Sequence, residues 1–150
     1  MTLAPSTVSL YEEDYVEWID VTLTQLQNRD LQNLDWEHLI EEVEALGREQ
    51  RHKVESYSLK LLIHLLLYQY WQTEKNWSGK GWEQEIDNFR LELEILLESK
   101  VLYNYLLTVL DKNYQKARKN VIRKSQLPTE LFPQTCPYTI EQLLDADWLP

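Results

Sequence analysis

The stretch from Leu59 to Trp71, LKLLIHLLLYQYW, has no polar face wide enough to meet water. A helix that is apolar nearly all round has to be buried, so the rest of the chain must be arranged to wrap it. The unbroken runs on either side of His64 fall far short of the roughly 20 apolar residues a bilayer demands. The segment therefore reads as the centre of a helical domain, with no membrane partner.

The flanking sequence supplies amphipathic helices for the wrapping. Ser9 reads as an N-cap with Glu12 in capping-box relation, and Tyr11, Tyr15, Trp18, Ile19, Thr22 and Leu26 recur at helical spacing, predicting a helix over about 10–28. Asp35 caps the next helix, with Leu34 placed to staple onto Leu39, and Trp36, Leu39, Ile40, Val43 and Leu46 form its expected inward stripe. Run unbroken to Trp71, that helix would be about 55 Å long in a domain about 40 Å across. Gly47 is the natural break, giving helices over about 35–46 and 48–71.

Residues 72–81, QTEKNWSGKG, read as a polar loop, and their Gly-Lys-Gly lacks the pattern that cradles phosphate. Trp82, Ile86, Phe89, Leu93, Leu96 and Leu97 mark a fourth helix. A turn near 98–100 leads to Ser99 as cap of a fifth, reaching about Lys124. On that helix Leu110, Tyr114, Ala117 and Val121 share one face, with Lys112, Lys116, Lys119 and Arg123 opposite. From Leu127 the chain carries four prolines but too many large apolar residues for a disordered tail. Thr139 and Gln142 stand in capping-box relation there, within an ordered strap over 127–150 anchored by Trp148 and Leu149. Residues 1–8 lack periodicity and are expected to fray. The expectation is all-α: a single domain over 1–150, a compact bundle of about five helices around a central apolar helix at about 48–71, closed by the proline-containing strap.

A chain of 150 residues buries enough surface to fold without disulfides or a structural metal. Cys136 is the lone cysteine, and no secretory segment is recognisable, so a reducing cytoplasm is the expected compartment. The net charge of −10 is unevenly placed: residues 1–50 hold twelve acids against Arg29 and Arg48, while Lys112 to Lys124 holds six bases and no acid. Such acidity disfavours nucleic acid and anionic membranes as partners and suits a basic one. The basic stripe reads as a solvated outer face.

Candidate chemistry is sparse. Asp35-x-x-His38 and Glu49-x-x-His52 have the spacing of di-iron helical bundles, but their side chains point away from the apolar stripes and cannot converge in a core. His64 sits inside the apolar run, either as a metal ligand or general base or as a half-buried histidine bonded to a neighbouring helix. If a site exists, its residues are His64, Glu41, Glu42 and His38. Glu41, Glu42, Glu44, Glu49, Arg48 and Arg51 otherwise read as surface ion pairs, and Cys136 as a packed small side chain. No set of residues assembles a reaction. The expected function is a non-catalytic protein-interaction module, self-associating as a homodimer or binding a basic partner through its acidic N-terminal third, with no cofactor. The alternative is a metal-binding or enzymatic bundle built on His64 and carboxylates of the 35–50 region.

Three segments carry a family likeness: LYEEDYVEWI, LDWEHLIEEVEALGREQRHKVESYSLKLLIHLLLYQYW and LPTELFPQTCPYTIEQLLDADWLP. With them the chain resembles the largely cyanobacterial domain-of-unknown-function family 29 over almost its whole length. FPxTCPYTxEQLLD and HLLxxQ are the specific parts, and residues 99–124 match least. The resemblance implies a small all-helical bacterial protein and brings no activity, cofactor or site residue.

Overall fold

Capping side chains set most helix starts in the computed structural model, which describes residues 9–150. The fraying expected for 1–8 lies outside the described residues. Ser9 accepts from the Glu12 N–H and opens α1, Leu10–Glu13. The single helix expected over 10–28 is instead interrupted at Asp14, which leaves helical geometry and accepts from the Glu17 N–H at 3.0 Å to start α2, Tyr15–Gln27. A short aspartate side chain that bonds the backbone ahead of it favours such a restart. A 3-10 turn over Leu31–Asn33 leads to Asp35, whose carboxylate accepts from the His38 N–H at the head of α3, Trp36–Tyr70.

α3 passes through Gly47 without a break, in place of the two helices expected there. One glycine costs about 1 kcal/mol in a helix interior, too little to end a long helix. The width argument fails for a further reason: the chain forms two compact units, residues 1–47 and 48–150, and α3 contributes to both. A helix shared by two units need not fit inside either.

The predicted loop over 72–81 is also helical. Only Trp71 separates α3 from α4, Gln72–Leu96. Local pairs compensate for the polarity of that first stretch: the Ser78 hydroxyl donates to Glu74 at 2.9 Å, and the Lys75 ammonium lies 3.8 Å from the centre of the Tyr68 ring. The turn expected at 98–100 is present, with Ser99 capping α5, Lys100–Ser125. Gln126 then adopts a left-handed conformation at φ 60 and ends it. A 3-10 turn over Thr129–Leu131 and α6, Ile140–Leu144, opened by the Thr139/Gln142 capping box, complete the chain. No strand occurs among the described residues.

In the second unit the helices form an all-α bundle around the apolar half of α3. Leu61, Leu62, Leu65, Leu66 and Leu67 are fully buried against Trp82, Ile86 and Leu93 of α4 and Tyr114, Ala117 and Val121 of α5. The strap over 127–150 covers them with Phe132, Tyr138 and Leu143. Its backbone is irregular, so its carbonyls need outside donors. α5 supplies Tyr114 to Pro133, Gln115 to Gln134, and Arg118 to Thr129 and Phe132. α4 supplies Arg90, whose guanidinium donates to the carbonyls of Gln142, Leu143 and Trp148 at 3.0, 2.8 and 2.7 Å. Asn113 of α5, also buried, donates to the Ser58 hydroxyl at 2.7 Å and to the Glu55 carbonyl at 3.1 Å.

The first unit is an antiparallel helical hairpin. The Tyr15 hydroxyl donates to Glu42 at 2.7 Å, and the Gln25 amide donates to the Asn33 carbonyl at 3.1 Å, so α2 and the start of α3 run in opposite directions. Trp18, Thr22 and Leu34 are buried in it.

Candidate functional site

The stripe expected to face inward at the start of α3 faces out. Trp36 is 50% exposed, Ile40 54%, Val43 59% and Leu46 62%. Val16 and Leu23 of α2 are likewise more than half exposed, with Tyr15, Ile19 and Leu26 open beside them. Periodicity identified an apolar side on each helix, but among the described residues the first unit holds only these two long helical segments, and they cannot cover both of their own faces. The result is a shallow apolar groove of about 300 Å³ between α2 and α3, lined by Tyr15, Ile19, Leu23, Leu26, Val43 and Leu46 among others. Soluble proteins rarely leave a contiguous apolar face of this kind without a use for it.

Polar side chains fill one end of the hairpin. The Trp18 indole N–H donates to Asp35 at 3.1 Å, and His38 Nδ1 lies 2.6 Å from the same carboxylate oxygen. The Tyr11 ring stacks on His38 with 4.1 Å between centroids, and its hydroxyl donates to Glu42, which also accepts from Tyr15. These bonds set the local protonation. The hydrogen bond to Glu42 pushes the Tyr11 phenol up to about 12 and raises Tyr15, while the two hydroxyls hold Glu42 below the usual carboxylate range. Desolvation lifts Asp35, but the His38 and Trp18 bonds outweigh it and leave the carboxyl low; the same Asp35 bond raises His38. The arrangement ties Tyr11, Tyr15, Trp18, Asp35, His38 and Glu42 into one group of hydrogen bonds and stacked rings.

The four candidate residues fall into two places. His38 and Glu42 meet around Tyr11, while Glu41 is exposed on the next position of α3. His64 belongs to the other unit. Its Nδ1 is bonded to the Lys60 carbonyl one turn back at 2.7 Å, and its ring meets Phe89 edge-on at 5.2 Å, so its partner is its own helix backbone and not a neighbouring helix. Burial pushes its imidazole below the ordinary value. Among the described residues, no three side chains of the His, Cys, Asp and Glu types are grouped so as to hold a metal ion. Cys136 is half-buried, and burial raises its thiol.

A second cleft, of about 660 Å³, opens beside Arg90 and is rimmed by Asp87, Glu94 and Glu98. The arginine in its wall is already committed to the strap carbonyls. Arg90 is the residue whose role sequence reasoning missed, since an arginine on an amphipathic helix ordinarily reaches solvent. Lys112, Lys116, Lys119 and Arg123 are exposed on the outer face of α5, with no exposed large apolar residue interleaved. No helix among the described residues is long and apolar enough to cross a membrane.

A family model described as domain of unknown function DUF29 matches residues 10–149. No curated protein and no solved structure matches the chain.

Proposed function

The chain belongs to the DUF29 family, whose description carries no activity, and from that premise we propose that it is a non-catalytic interaction module that binds a protein partner through its acidic N-terminal unit. The supporting observation is the open apolar groove in which Val43 and Leu46 of α3 lie beside Ile19, Leu23 and Leu26 of α2, with Trp36 and Ile40 also exposed on α3. Covering such a groove contributes roughly 25 cal/mol for each Å² removed from water, enough to drive association once the entropy of binding is met. The protein works in the cytoplasm, where Cys136 stays reduced.

The test compares the wild-type chain with Val43→Asn, a change at an exposed position that keeps the charge, with circular dichroism to check that the fold is retained. Sedimentation equilibrium and affinity capture are run on both. The reading holds if an assembly or a captured protein is lost in Val43→Asn, and fails if both proteins sediment as monomers and recover the same set. The competing reading, a metal or enzymatic site at His64, is tested by metal analysis of protein purified without chelator, with thermal melts in added zinc, iron or manganese. Bound metal or a raised Tm would favour it over the interaction module.

A further inference from the structure

We infer that the occupant of the α2/α3 groove is a basic amphipathic helix of a partner protein, a deepening that rests on the interaction reading above. The groove runs from Tyr15 to Leu26 on α2, about 16 Å at 1.5 Å per residue, and from Leu39 to Leu46 on α3, about 10 Å. Two to three turns of a third helix match that length, and a third helix laid between two antiparallel ones completes a small bundle with one apolar seam.

Charge selects among the occupants. Residues 1–47 carry eleven acids against Arg29 alone, and Arg29 lies with its guanidinium on the Leu26 carbonyl at 2.9 Å. On α2 and α3 the positions away from the groove include Glu17, Asp20, Glu37 and Glu41, all exposed. Two copies meeting through this face would bring together two units of net charge −10, which repel each other through the field of both units. The basic stripe of α5 on a second copy answers the charge but has no exposed large apolar residue among Lys112, Lys116, Lys119 and Arg123 to fill the groove. Nucleic acid and anionic membranes are repelled by the same field. What remains is a segment with Leu- or Ile-type residues on one side and Lys or Arg on its flanks. Such a helix is only marginally formed alone, so its ordering on binding keeps the affinity in the micromolar range.

The probes are two fluorescein-labelled synthetic peptides of about 18 residues, one patterned from Leu and Lys and the other from Leu and Glu with the same apolar stripe, titrated against the full chain by anisotropy. The Leu/Lys peptide is expected to bind at least tenfold more tightly than the Leu/Glu peptide, and to weaken by a similar factor as salt is raised to about 0.5 M. Leu23→Asn with Val43→Asn should abolish the binding without changing net charge, while Leu91→Asn, at an exposed position in the other unit, should not alter it. Ile19→Asn with Leu46→Asn reads the same groove should the first pair unfold, as circular dichroism will show. Equal binding of both peptides, binding indifferent to the groove substitutions, or a dimer of the chain that Val43→Asn dissolves overturns the basic-helix inference. The last of these leaves the interaction reading standing with a second copy as occupant. A monomer that binds neither peptide overturns the inference, and only an accompanying identical capture profile for Val43→Asn brings down the broader reading as well.

Discussion

Replacing Arg90 with methionine removes the donor group that ties the end of the strap to α4. Arg90 is 5% exposed and its three bonds run to the carbonyls of Gln142, Leu143 and Trp148. The first two acceptors lie in α6, a five-residue helix whose last carbonyls have no intrahelical partner, so the guanidinium acts as its C-terminal cap. Hydrogen bonds to a charged group contribute about 1.5–3 kcal/mol each, a gross 4.5–9 kcal/mol for three. Desolvation of the guanidinium offsets several kcal/mol of that, leaving a loss of about 3–5 kcal/mol for Arg90→Met. At about 2–4 °C per kcal/mol in a chain of this size, Tm should fall by roughly 10 °C. Arg90→Lys keeps the charge but not the fork, and should fall between the two. Urea unfolding gives the free energy, and hydrogen exchange of the amides over 138–148 locates it: the strap should open before α3 does. If Arg90→Met melts within about 2 °C of the wild type with unchanged exchange over the strap, the clamp contributes little and the reasoning fails.

Gly81 lies inside α4 with nothing within 4 Å of where a Cβ would stand, so Gly81→Ala should add about 1 kcal/mol, read as a higher urea midpoint at unchanged m. Asn113→Ala should cost about 1–3 kcal/mol by removing the donor to Ser58, whereas Asn113→Leu with Ser58→Ala should recover much of it, because both ends of the bond then go together. Around Asp35 and His38 stability should pass through a maximum with pH. The raised His38 contributes fully below about 6.5 and loses its effect as pH rises through its folded value, while the lowered Asp35 contributes above about 3.9 and loses it as pH falls. NMR titration of His38 and melts across that range check this, and His38→Gln should remove the alkaline flank of the dependence.

How much of this was legible depended on whether a helix's partner was also encoded as an apolar stripe. Trp82, Ile86 and Leu93 on α4 and Tyr114, Ala117 and Val121 on α5 were read as core positions and are core positions, because each stripe has the Leu61–Leu67 segment to face. Trp36, Ile40 and Val43 have the same periodicity, but a pattern reports that a face is apolar and not that anything lies on it. The helical start of α4 was missed because its support comes from side-chain pairs such as Ser78 with Glu74, which polarity alone disguises as loop. At the candidate site, the Asp35 cap was readable from residue type. The stacking of Tyr11 on His38 was not, since it joins two helices whose register the sequence leaves open. Glu42 reads as a candidate ligand from sequence and is held by two tyrosine hydroxyls.

The Arg90 clamp also makes the tail a sensor of its own integrity. A cut between Tyr138 and Gln142 would free all three acceptors from the body of the chain, whereas one after Leu143 would free only the carbonyl of Trp148. The loosening of a clipped copy would thus be graded by the position of the cut.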